Sequence, residues 1–156
     1  MTEVIVLLAS RLHIVIVLIA IAVFVFAGHK RRFVIAKYGL VTLPLSYVLG
    51  KFASSLYYTN RPFVELDIPP LVAHLADNGF PSEHTLYAMV IALIIFLLNK
   101  RIGILLITLA ILIGLGRILA LVHNPIDIIG SIVIAVFAVM TARYLVNLQF
   151  KLSIQK

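Results

Sequence analysis

The chain has no cysteine and no tryptophan, and only six acidic residues among 156. Without cysteine there are no disulfides and no thiolate ligands for a metal. Without tryptophan, an aromatic girdle at a membrane surface falls to tyrosine and phenylalanine. Charge of either sign is scarce at 12%, while apolar residues reach 63%. A water-soluble domain is about a quarter charged and half apolar, so this balance points to an integral membrane protein. The length suits one domain, residues 1–156, and not two.

What is present is a series of long apolar runs. Five are long enough to cross a bilayer, which takes about 17–25 residues: 4–27, 33–58, 82–98, 102–122 and 125–148. The first is interrupted by Arg11 and His13, the second by Lys37 and Lys51. All are too long for strands and lack barrel-type alternation. The expected fold is therefore all-α, a polytopic membrane bundle of about five transmembrane helices. The first run has no basic residues before it and ends in His29-Lys30-Arg31-Arg32. It is expected to be a span and not a cleaved signal peptide.

The formal charge of +7, taken alone, suggests a nucleic-acid partner, but its distribution argues against one. Lys30, Arg31, Arg32 and Lys37 lie between spans one and two, Lys100 and Arg101 between three and four, and Arg143, Lys151 and Lys156 at the C-terminal end. With five spans these share one side, which the positive-inside rule makes cytoplasmic. All six acids fall on or near the other side. The basic excess is a topology signal.

Three polar clusters reach that outer boundary: "KFASSLYYTNRPF" (51–63), "GFPSEHT" (79–85) and "GRILALVHNPID" (116–127). Charges at a membrane are costly and face a cavity or one another. Guanidinium groups fit phosphate oxygens in pairs, and a helix opening after Pro81-Ser82 would offer anion-seeking N–H groups. Arg61, Arg117, Ser82 and Lys51 are the candidate phosphate ligands. His123 stands four residues before Asp127, a spacing that could put both on one helical face. A carboxylate on one imidazole nitrogen fixes the tautomer and leaves the other nitrogen to attack phosphorus. His84 is the candidate acid for the leaving oxygen. Arginines can stabilise the transferring group, so no metal and no other cofactor is expected.

These residues resemble the membrane branch of the type 2 phosphatidic acid phosphatase (PAP2) superfamily. Its pattern is a Lys, six residues, Arg-Pro; then Pro-Ser-Gly-His; then Ser-Arg, five residues, His, three residues, Asp. Here stand Arg61-Pro62, Pro81-Ser82-Glu83-His84, and Gly116-Arg117 with His123 and Asp127 at those spacings. The resemblance implies a phosphohistidine at His123 oriented by Asp127, a leaving-group acid at His84, and phosphate held by Arg61, Arg117 and Ser82. Three positions depart from it. Ser54 occupies the lysine position, with Lys51 one turn earlier; Gly116 replaces serine; Glu83 replaces glycine. Glu83 within Phe-Pro-Ser-Glu-His-Thr, together with Arg-Pro-Phe, is similar to the bacterial undecaprenyl-diphosphate phosphatases of the superfamily. The superfamily commonly has six spans, so an N-terminal helix is expected to be missing or shortened.

The implied activity is hydrolysis of a lipid phosphate at the extracytoplasmic face of the plasma membrane, with undecaprenyl diphosphate the leading substrate. Phosphatidate or phosphatidylglycerophosphate hydrolysis, and phosphoryl transfer to a lipid or sugar acceptor, are the alternatives. A binding or transport protein that kept the anion site is a third class. Structural roles stand beside the chemical ones. Asp127 also fits the third position of a helix capped by Asn124 with Pro125 first. Ser82 fits a plain N-cap. Lys51 either lines the site or snorkels. Glu83 contacts substrate or a diphosphate-bound water, pairs with an arginine, or serves the helix dipole. Gly114 and Gly116 fit close helix packing. His29 and His74 read as loop residues, and "LVAHLAD" (71–77) as a short amphipathic surface helix.

Overall fold

A computed structural model describes residues 2–154, with side chains described as far as residue 147. The side chain of Lys151 and the whole of Lys156, counted above among the C-terminal basic residues, lie outside the described residues. Among the described residues every regular element is a helix: α1 (Thr2–Ser10), α2 (Leu12–Phe26), α3 (His29–Leu56), α4 (Pro62–Glu65), α5 (Glu83–Leu98), α6 (Lys100–Leu119) and α7 (Pro125–Ile154).

The five apolar runs all become helix, but not five equal spans. α3, α6 and α7 as far as Asn147 are each long and apolar enough to cross a membrane. The first run is broken at Arg11 into α1 and α2, bent by 45°; counted as one broken span, the pair is long and apolar enough for a fourth crossing. α5 has 16 residues. At 1.5 Å per residue that is about 24 Å, short of the roughly 30 Å hydrocarbon layer. The expectation of five full spans is thus approximate.

α5 lies at the centre, with Leu86, Met89, Val90, Ala92, Ile94 and Ile95 all buried. It packs against α6, α7, α3 and α2 in one apolar core to which α2 contributes Ile16 and α3 contributes Tyr38. The outward faces of α3 and α7 expose Leu40, Phe52, Phe137 and Met140, as a lipid-facing surface should. A second, smaller cluster joins Ala9 of α1 to Val72, Ala120 and Val122, with Phe63 against it. It sits at the end of the bundle where α3 and α6 end and α5 and α7 begin.

Two local signals set the helix ends. Asn99 caps α6, its Oδ1 accepting from the N–H groups of Arg101 and Ile102 at 3.1 and 3.2 Å. α6 ends in a Schellman turn: Val122 N–H reaches Arg117 O, and Leu121 N–H reaches Ile118 O, at 3.2 and 2.9 Å. Leu121 takes a left-handed φ of 63° there, a position glycine would hold without strain.

The long 59–81 connection carries only the four-residue helix α4. "LVAHLAD" is not helical, which corrects the expectation of a surface helix. Pro69 and Pro70 precede it, and the Leu71 N–H goes to Ala120 O instead of into a helical turn.

Gly103 marks the tightest approach, since a Cβ there would stand 2.2 Å from Phe96 Cα. Gly103→Ala should therefore destabilise the protein in detergent by about 1–3 kcal/mol through overpacking. Gly39, with nothing within 4 Å of an added Cβ, should tolerate alanine with a gain of up to about 1 kcal/mol. Thermal unfolding of the two variants tests the pair. Equal melting temperatures would contradict this packing.

Candidate active site

Three helix ends and two loops converge on one cavity of about 300 Å³. The end of α3 brings Lys51, the start of α5 brings Glu83 and His84, the end of α6 brings Arg117, and the loops bring Arg61 and His123. Three stretches far apart in sequence thus meet as expected. Arg61, Arg117, His123 and Asp127 are 4%, 3%, 2% and 0% exposed. Ionisable groups so deeply placed need partners.

His123 is the hub. Its Nδ1 lies 3.3 Å from Asp127 Oδ2. Its Nε2 faces Arg61 Nη1 at 3.4 Å and Arg117 Nη2 at 3.3 Å. Guanidinium nitrogens only donate, so this network assigns the proton to Nδ1, donated to Asp127, and the lone pair to Nε2. Burial, and then the two guanidinium charges, lower the His123 pKa; the bond to Asp127 works against them.

Asp127 fills both roles that its position allows. Its Oδ2 accepts from the Asn124 N–H at 2.8 Å while its own N–H goes back to Asn124 O at 3.0 Å. That is the reach-back of a third-position acid onto an N-cap residue. His123 lies before the cap and outside α7. The capping turn, not a continuous helical face, brings imidazole and carboxylate together. Oδ1 is satisfied by Thr59 Oγ1–H at 2.7 Å.

The two arginines differ in their free donors. Arg61 gives Nε and Nη2 to Asp77 Oδ1 at 2.9 and 2.8 Å, Nη2 also to Asn78 O at 3.1 Å, and Nη1 to Val122 O at 2.7 Å. With the His123 contact, its donors are all engaged. Arg117 gives Nη1 to Ala9 O at 3.3 Å, and its Nε is buried without a partner. An orphaned buried guanidinium donor marks the place where an acceptor belongs.

The other expected ligands fall into two groups. Lys51 Nζ pairs with Glu83 Oε1 at 2.9 Å on the cavity rim, both more than half exposed. Ser82 is fully buried and does not line the cavity. Its hydroxyl faces Thr85 Oγ1 at 3.2 Å, and its carbonyl accepts from Ser131 Oγ at 2.9 Å. Ser82 makes no side-chain cap to α5 either. Its hydroxyl thus faces α5 and not the cavity wall. Among the described residues no three His, Asp or Glu side chains gather in a metal-holding group.

A family model described as the PAP2 superfamily matches residues 35–151. The chain belongs to the PAP2 superfamily. Two PAP2-type relatives show the closeness of the match. The bacitracin transport permease protein BcrC of Bacillus licheniformis is 34% identical over 104 residues, 66% of this chain and 51% of that one. The undecaprenyl-diphosphatase BcrC of Bacillus subtilis strain 168 is 32% identical over 119 residues, 76% of this chain and 61% of that one. The chain thus spans between half and two thirds of the length of these relatives. The fold matches the crystal structure of Aquifex aeolicus LpxE with a TM-score of 0.70 and 26% identity, covering 92% of this chain and 82% of that one.

Three residues that sequence motifs did not single out complete this candidate site. Asn78 staples its loop to α3. Its Nδ2 donates to Ser54 O, Ser54 Oγ and Tyr57 O, and its Oδ1 accepts from the Thr59 and Phe80 N–H groups. Thr59 holds Asp127. His74, expected as a plain loop residue, lines the cavity with its ring 5.8 Å from that of His123. Burial first, then Arg61 and Arg117, push the His74 pKa down to about 4.

Thr59→Val would leave a buried carboxylate oxygen without its donor, at a cost of about 1–3 kcal/mol. Thermal unfolding should show the loss, and Thr59→Ser should restore it. Equal stability of the valine and serine variants would remove Thr59 from this role. His74 gives a pH signature. Between its ordinary 6.5 and about 4, the unfolded chain binds a proton that the folded chain refuses. Stability therefore falls as pH drops through that window. His74→Gln should flatten this part of the melting profile, and an unchanged profile would contradict the burial.

Proposed function

We propose that this chain is a lipid phosphatase that hydrolyses an isoprenoid-lipid diphosphate, undecaprenyl diphosphate to undecaprenyl phosphate and phosphate. One observation carries the reading: a buried imidazole with a carboxylate on Nδ1 and two guanidiniums at Nε2. A site that only bound anions would need the guanidiniums but not the oriented imidazole.

In this reading the substrate phosphate takes the free donors of Arg117 and the charge of Arg61. The arginine N–H groups then point at phosphate oxygens, and the Nε2 lone pair is released for attack. A nitrogen–phosphorus bond forms while the bond to the leaving oxygen breaks. His84 gives that oxygen a proton. Water then attacks phosphorus, His84 takes the water's proton, and phosphate leaves His123. Negative charge on the transferring group is met by guanidinium throughout, so no metal is called on. Lys51 and Glu83 at the rim face the part of the headgroup nearest water.

The whole chain, residues 1–156, acts as one domain in the plasma membrane. The cavity opens at the end of the bundle opposite Lys30, Arg31, Arg32, Lys100 and Arg101. The positive-inside rule then puts it on the extracytoplasmic side. The substrate assignment draws support from the Bacillus subtilis relative. The name of the Bacillus licheniformis relative offers transport as a second reading; the His123–Asp127 pair favours chemistry over it.

Purified protein in detergent should release phosphate fastest from an isoprenoid diphosphate in a panel that also holds phosphatidate and phosphatidylglycerophosphate. The rate should be the same with a chelator present. His123→Ala should lower it on the order of 10³-fold or more, as loss of a nucleophile does. Turnover preserved in His123→Ala would refute the mechanism, and a preference for phosphatidate would refute the substrate.

A further inference from the structure

We propose that His13, in the first apolar run, is a positioning residue that holds the imidazole of His84 in the orientation its proton transfer requires. The inference rests on the reading of His84 as the leaving-group acid.

The two histidines that do the chemistry are held in different ways. His123 is fixed by hydrogen bonds on both nitrogens. Among the described residues, no hydrogen bond holds the ring of His84. Its ring contact is with His13, edge to face, the centroids 4.9 Å apart and the planes at 86°. Such a geometry is an attractive one for aromatic rings and restricts rotation about the side-chain torsions. His13 Nδ1 is itself buried without a partner, so no hydrogen bond from that nitrogen commits the ring to another task.

The fold brings His13 there by design of the first run. α1 and α2 break at Arg11 with a 45° bend. The break leaves Ala9 O free to accept from Arg117 Nη1 at 3.3 Å. Gly116 makes that approach possible, because a Cβ there would stand 2.6 Å from Leu8 Cβ and 2.9 Å from Ala9 N. α1 is thereby tied to the phosphate-binding arginine, and α2 starts where its second residue, His13, meets His84. His13 and His84 also border a mainly apolar cavity of about 210 Å³ between α2 and α5. Glu83, His84 and Tyr87 line both this cavity and the larger one. Without His13 the His84 ring could swing from the phosphate cavity into this neighbouring space.

A general acid matters in proportion to how poor the leaving group is. The test is a series of aryl phosphates of similar size, from phenyl phosphate to 2,4-dinitrophenyl phosphate, assayed in detergent with wild type, His13→Ala, His13→Phe and His84→Ala. His13→Ala should lose about ten-fold on phenyl phosphate, a fraction of the roughly 10²–10⁴ a general acid supplies, and under about two-fold on the dinitrophenyl ester. His13→Phe keeps an aromatic ring in place and should recover most of the loss. If His13→Ala accumulates poorly, His13→Phe against His13→Leu gives the same comparison. Equal losses on both esters, or none, would overturn the proposal. His84→Ala separates the two readings. If its losses do not grow as the leaving group worsens, the assignment of His84 as acid fails. If they do and those of His13→Ala do not, the positioning role alone fails.

Discussion

Two guanidinium groups converge on one imidazole nitrogen in the buried end of this bundle, and most of the local architecture answers that constraint. Like charges in a low-dielectric setting repel strongly and lose hydration. The chain meets the cost unevenly. Arg61 is surrounded by acceptors from Asp77, Asn78 and Val122. Arg117 has one backbone carbonyl and one buried orphan donor. The first holds the site together and the second is left short of acceptors. An incoming phosphate would supply them, which is why the arrangement reads as a site and not as a structural ion cluster.

The rest of the fold serves that placement. The Schellman turn after α6 sets Arg117 and His123 six residues apart in sequence yet within hydrogen-bond reach. Asn78 and Thr59 bind the long loop to α3 and to Asp127. Gly79 permits this, since a Cβ there would fall 2.8 Å from Thr59 Oγ1 and 2.9 Å from Asp127 Oδ2. Gly116, a departure from the superfamily pattern, is explained by the proximity of α1. A serine side chain there would collide with Leu8 and Ala9. The apolar cluster of Ala9, Val72, Ala120 and Val122 packs α1 and the long loop against the end of α6, next to Arg117 and His123 in the chain.

What could be read from the sequence was whatever repeats a local pattern. Helix content followed from run length, and Arg61, His84, Arg117, His123 and Asp127 from motifs with fixed spacing. The dual role of Asp127 was also legible, because capping is a four-residue signal. What could not be read depends on distant pairing. Thr59 and Asp127 are 68 residues apart, and neither carries a spacing that announces the other. His74 looks like any loop histidine until the loop folds back over the cavity. The break at Arg11 has no proline or glycine to mark it; α1 turns because Gly116 and Arg117 receive it. "LVAHLAD" has a helical pattern, but its backbone is recruited by the end of α6. Ser82 matched a motif, yet its hydroxyl faces Thr85 and does not line the cavity.

The central claim is that His123 Nε2 forms a covalent bond to phosphorus. The most direct measurement is rapid quenching of the purified protein with a substrate labelled on its transferable phosphate, followed by peptide mapping. The account predicts an alkali-stable, acid-labile phosphoryl group on the peptide containing His123, formed and lost at the rate of turnover. Label on another residue, or full turnover with no covalent label at any quench time, would contradict it.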